Sequence, residues 1–135
     1  MKARRVTGIG GIFFKAKDNQ KLGAWYKRHL GLDIGEEWTG CTFPWRDARK
    51  PKQEGCTVWS IFDGKSDYFG PKKQTLMINY RVANLMKVVA ALKKEGVWID
   101  PKGIEKSAYG QFAWIKDGEG NRIELWQPPR GKPAK

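Results

Sequence analysis

The chain states one supersecondary pattern twice, about 65 residues apart. The first copy passes through Ile12-Phe13-Phe14-Lys15-Ala16-Lys17-Asp18, a charged segment over 21–30, and Gly31-Leu32-Asp33-Ile34. The second passes through Ile78-Asn79-Tyr80-Arg81-Val82-Ala83-Asn84, a segment over 86–95, and Gly96-Val97-Trp98-Ile99. Each reads as strand, N-cap, helix, glycine stop, strand. β-Branched and aromatic residues favour the strand, Asp18 or Asn84 caps the first free amides of the helix, and Gly31 or Gly96 supplies a left-handed stop. Helical spacing sets Leu22, Trp25, Tyr26 and Leu30 on one stripe and Leu85, Val88, Val89 and Leu92 on the other. A repeated unit normally needs its twin to cover its apolar face. The groove where the halves meet is then the place to look for function.

Each copy is followed by a hairpin. The first is expected from Cys41-Thr42-Phe43-Pro44-Trp45, through a polar loop from Asp47 to Gly55, to Thr57-Val58-Trp59-Ser60-Ile61-Phe62. The second runs from Phe112-Ala113-Trp114-Ile115-Lys116, through Asp117-Gly118-Glu119-Gly120-Asn121, to Arg122-Ile123-Glu124-Leu125-Trp126, with the turn residues such tips demand. The chain is therefore an α+β protein of two βαβββ modules. Module 1 spans about 6–62, a linker 63–74, module 2 about 75–127, and a frayed tail 128–135, all within a single domain over 1–135.

Composition narrows the function classes. Seven tryptophans in 135 residues are unusual and point to a lining of large rings. The formal charge of +12 invites a nucleic-acid reading, but the cations are scattered over the chain, as on a solvated basic surface that concentrates anions. No stretch is long and apolar enough to span a membrane, and Met-Lys-Ala-Arg-Arg precedes a strand pattern, so a cytoplasmic location is expected. Cys41 and Cys56 fit reduced thiols in that compartment, with Cys56 expected opposite Arg46.

Asp-Gly-x-Gly-Asn-Arg-Ile-Glu-Leu-Trp over 117–126 and Trp-Tyr-Lys-x-x-Leu-Gly-Leu over 25–32, on paired βαβββ modules, resemble the vicinal oxygen chelate superfamily of glyoxalases, extradiol dioxygenases and bleomycin-resistance proteins. The resemblance covers about 6–128 and implies a curved mixed sheet with a concave groove. It also implies four inward positions that hold a metal in metal-dependent members. Two are histidines on the first strand of each half, which fall at Gly11 and Met77, seven residues before each cap. The others are carboxylates or similar ligands on the last strands, which fall at about Trp59 and at Glu124. One ligand of four survives, and the single histidine, His29, sits on the first helix. Catalytic transition metals generally have three or four protein donors. No metal and no other cofactor is expected.

Alternation along the strands gives the expected groove: Phe13, Phe43, Trp59, Met77 and Trp114 as walls, Asn79 and Glu124 as polar groups, and Tyr109 nearby. Such rings equally suit a plain core. The favoured function is metal-independent binding or sequestration of a small aromatic or anionic compound, the positive charge arguing against a cationic one. The alternative is a glyoxalase-like lyase or isomerase with Glu124 as general base, assisted by Asn79 or Tyr109. Nucleic acid is the weakest partner and a membrane none. The resemblance implies a homodimer, its grooves completed by modules of one chain or of two.

Overall fold

The computed structural model describes residues 5–129; the tail expected over 128–135 lies mostly outside them. Nine elements follow in order: β1 (Val6–Ala16), α1 (Asn19–Leu30), β2 (Gly40–Asp47), β3 (Lys50–Asp63), β4 (Leu76–Val82), α2 (Leu85–Lys94), β5 (Glu105–Ser107), β6 (Gly110–Lys116) and β7 (Arg122–Gln127). Both helices begin as the side chains at their starts require. Asp18 accepts a hydrogen bond from the Lys21 amide at 3.0 Å, and Asn84 from the Lys87 amide at 3.1 Å. Gly31 at φ 69° and Gly96 at φ 79° end them.

The strands form one mixed sheet in the order β2-β3-β1-β4-β7-β6-β5. Its centre is the antiparallel pair β1–β4, the first strands of the two halves. Gly11 faces Asn79 and Phe13 faces Met77, so equivalent residues lie symmetrically about the seam. The last strand of each half adds in parallel outside it, β3 beside β1 and β7 beside β4. The two halves thus pair with each other within the one chain.

Both helices cover one face. On the second half, α2 buries Leu85 and Val88 against Val82, Ala113, Ile115 and Leu125, with Val89 and Leu92 packed alongside. On the first half the packing is aromatic: Tyr26 of α1 lies 4.8 Å from Trp59 and 6.3 Å from Phe14. The α1 stripe is narrower than expected. Leu30 is exposed, as is Trp25, because buried Gly23 lets the helix settle on Thr39 and Ile34.

Three expectations change. The segment after α1 forms no strand, since Ile34 lies between the exits at Gly31 and Gly35 and plugs the core instead of pairing; after α2 only an isolated bridge joins Ile99 to Ile115. The short strand β5 stands later than expected, paired with β6. The first hairpin is also far tighter than the polar loop proposed for it. Its strands stay paired to Asp47 and Lys50, where the Asp47 carboxylate accepts from the Arg49 amide at 2.8 Å. Pro44 lies on an edge strand, and Pro51 lies where β3 has only β2 beside it, so neither removes a needed ladder bond. Cys56 consequently faces Pro44 rather than Arg46, and both buried cysteines are free thiols.

Candidate functional site

The sheet face opposite the helices is lined by side chains that the pairing registers bring together. Phe13 (β1), Met77 (β4) and Trp114 (β6) are buried in one cluster, with Val58 and Phe62 of β3 and Phe112 of β6 packed against it. On the far wall Trp126, Phe112 and Trp114 form a ladder of nearly parallel rings, at 6.3 Å and 6.4 Å between successive centroids. The floor is polar. Asn79 and Glu124 face each other across β4 and β7, both 2% exposed.

Glu124 is fully engaged. One carboxylate oxygen accepts from Asn79 Nδ2 at 2.6 Å; the other accepts from Trp114 Nε1 at 3.0 Å and from the Tyr68 hydroxyl. Burial pushes its pKa up, while the bonds from Tyr68, Asn79 and Trp114 and the Arg122 charge act against that rise. Tyr68 is itself pushed up, first by burial and then by the Glu124 charge, so its hydroxyl stays protonated and donating. A carboxylate offers about four lone-pair sites, and three of them already have donors. A substrate proton would have to compete with these three donors for the carboxylate.

Tyr68 and its neighbour Phe69 are the site residues that sequence reasoning missed. They belong to the linker, which folds onto the groove face. Tyr68 stacks on Phe62 at 5.6 Å and meets Trp114 edge-on at 6.1 Å, and Phe69 is completely buried beside Phe62. Gln74 ties the linker down by exchanging two hydrogen bonds with the Arg122 backbone, at 2.8 Å and 2.9 Å. No periodicity marks such a segment, and its one signal is Tyr-Phe within a polar run. One end of the groove is therefore filled from inside the chain.

Of the other residues singled out, Phe13, Met77, Asn79, Trp114 and Glu124 come together on this face. Trp59 does not. It lies on the helix face against Phe14 and Tyr26, because Phe13 pairs with Ser60 just as its equivalent Asn79 pairs with Glu124. The counterpart of Glu124 in the first half is thus Ser60, one residue from the expected position, and a slip of one residue turns a side chain to the opposite face. Phe43 is 42% exposed on the two-stranded arm, opposite Thr57 instead of near Trp59. Tyr109 is 61% exposed at a turn; its contribution is a backbone carbonyl that accepts from Trp126 Nε1 at 2.8 Å.

The positions equivalent to a metal site hold Gly11, Ser60, Met77 and Glu124. Glycine donates nothing, a thioether suits soft metals and a neutral hydroxyl is a weak donor, so this set does not fit a divalent catalytic ion. Among the described residues, no group of three or more His, Cys, Asp or Glu side chains is arranged to hold a metal. No described helix is long and apolar enough to cross a membrane.

Solved structures share this fold. Methylmalonyl-CoA epimerase from Mycobacterium tuberculosis is 17% identical, with a TM-score of 0.63 over 96% of this chain and 93% of that one. Methylmalonyl-CoA epimerase in complex with methylmalonyl-CoA and NH4+ is 14% identical, with a TM-score of 0.68 over 95% and 99%. A structure described as NAD-dependent benzaldehyde dehydrogenase from Legionella pneumophila is 11% identical, with a TM-score of 0.55 over 88% and 98%. No protein-family model and no curated protein matches the sequence. At these identities the likeness is one of fold: two βαβββ-type modules paired in a curved mixed sheet, as in the vicinal oxygen chelate superfamily.

Proposed function

On the vicinal oxygen chelate fold that this chain adopts, we propose a metal-independent binding protein for a small planar aromatic compound, held on the groove face. The observation that carries the reading is the occupancy of the four equivalent positions. Three hold no ligand of the kind a divalent ion needs, and the fourth, Glu124, has both oxygens tied to protein donors. The surrounding rings suit stacking, which needs neither metal nor general base. Because Tyr68 and Phe69 fill the Lys15–Arg122 end, the reading places the compound toward Gly8, Arg81 and Phe112.

The experiment is a titration of tryptophan fluorescence in the presence of a chelator, with 1-naphthol and benzamide as uncharged probes. Saturable quenching is expected, because Trp126 and Trp114 flank Phe112. Absence of any saturable response to either probe overturns the reading.

A proton-transfer reading has one specific observation in its favour. Glu124 occupies the carboxylate position on a fold shared with methylmalonyl-CoA epimerase. It requires that a substrate reach the carboxylate alongside Tyr68, Asn79 and Trp114. Solvent-proton exchange into a bound carbonyl compound, abolished by Glu124→Gln, would establish it.

A further inference from the structure

On the groove face of β4, two buried polar atoms have no protein partner, Arg81 Nη1 and Asn79 Oδ1. They stand two residues apart on β4, so both side chains rise from the same face of the strand. The Asn79 nitrogen donates to Glu124 at 2.6 Å, and its oxygen is the atom left over.

Arg81 is 8% exposed and permanently charged, and no carboxylate among the described residues forms an ion pair with it. Its guanidinium lies 5.4 Å from the centre of the Trp45 ring. That ring lies flat over β1 because position 8 is glycine: a Cβ there would stand 2.5 Å from the indole. The indole serves the guanidinium as a cation–π partner, and Nη1 is left without a hydrogen-bond acceptor. A buried, unmatched cation is costly to keep unless something anionic meets it.

We infer that Arg81 and Asn79 form a recognition pair for a small planar aromatic acid, Arg81 taking the carboxylate and Asn79 Oδ1 accepting from a neighbouring N–H. The inference rests on the binding function proposed above and adds the ligand's chemical class. It accounts for an unpaired cation inside the groove, which a purely apolar site does not need. The formal charge of +12 favours the approach of the same class of compound.

Isothermal titration of the intact protein with benzamide, benzoate and 2-aminobenzoate tests the pair. Benzoate is expected to bind about tenfold more tightly than isosteric benzamide, since a charge-assisted bond replaces a neutral one. 2-Aminobenzoate, which keeps one N–H free after meeting its own carboxylate, is expected to bind more tightly than benzoate, and 4-aminobenzoate no more tightly. Arg81→Gln should abolish the preference for benzoate over benzamide; if that variant does not fold, the wild-type ranking decides alone. Equal binding of benzoate and benzamide overturns the pair while leaving the aromatic-binding function intact. Failure of benzamide, benzoate and 1-naphthol alike overturns that function and the pair with it.

Discussion

Glu124 shows how one residue can hold a fold and a functional position at once. Three donors converge on it, and each loses its partner if the carboxylate is removed without a replacement. Glu124→Leu leaves the Tyr68 hydroxyl, the Asn79 amide and the Trp114 indole N–H unmatched, each costing roughly 1–3 kcal/mol. Glu124→Gln is different. Its oxygen still faces Tyr68 and Trp114, and Asn79 turns over so that its unpartnered Oδ1 meets the new amide. Urea unfolding should show Glu124→Leu destabilised by about 3 kcal/mol or more and Glu124→Gln within about 1 kcal/mol of the parent.

The same residue sets a pH dependence. Its pKa is raised on folding, so the folded chain holds that proton more tightly than the unfolded chain. The resulting stability is fully present below the unfolded value and is lost as pH rises through the folded one. Stability should therefore fall as pH rises from about 4.5, the ordinary value for the group, toward neutrality, and Glu124→Gln should remove that part of the slope. Urea midpoints measured at intervals between these limits check it; a slope unchanged in Glu124→Gln would assign the titration to other groups.

At the scale of elements, two glycines make opposite predictions. Gly23 lies inside α1, and an added Cβ would meet Thr39 at 3.5 Å, an ordinary contact. Gly23→Ala should stabilise the chain by about 0.5–1 kcal/mol, the helical cost of glycine. Gly11 is the reverse. A Cβ there would stand 2.6 Å from the Phe13 ring, which lies over it in the buried cluster, so Gly11→Ala should destabilise by about 1–3 kcal/mol through overpacking. Thermal unfolding of the two variants beside the parent tests both signs.

What could be read from the sequence also divides by element. The helices were legible because a capping side chain and a glycine stop bracket each one. In the second half the groove face was legible too, since the short tip over 117–121 pins β6 to β7 and alternation then places Trp114 and Glu124 together. In the first half, proline and glycine within 51–55 suggested a loop where the strands in fact stay paired. That error in length carried into register, setting Cys56 opposite Arg46 instead of Pro44, and the resemblance pointed to Trp59 one residue short of Ser60. Tyr68 was illegible for another reason: a linker folds where its side chains find partners, and those partners are distant in sequence.

At the scale of the molecule, the repeat yields a seam with near-symmetry of backbone and none of chemistry. Gly11 and Met77 are equivalent, as are Ser60 and Glu124, yet no two of the four share a side-chain type. The linker contributes the aromatic plug and the first half the Trp45 arm; the second half contributes the ring ladder and the polar floor. The two halves pair with each other through β1 and β4 of the one chain. Metal analysis of protein purified without chelator tests the central claim most directly. Transition metal well below one equivalent per chain is predicted, with aromatic binding unaltered by added Zn²⁺; one tightly held metal per chain, or binding that appears only once metal is added, would contradict it.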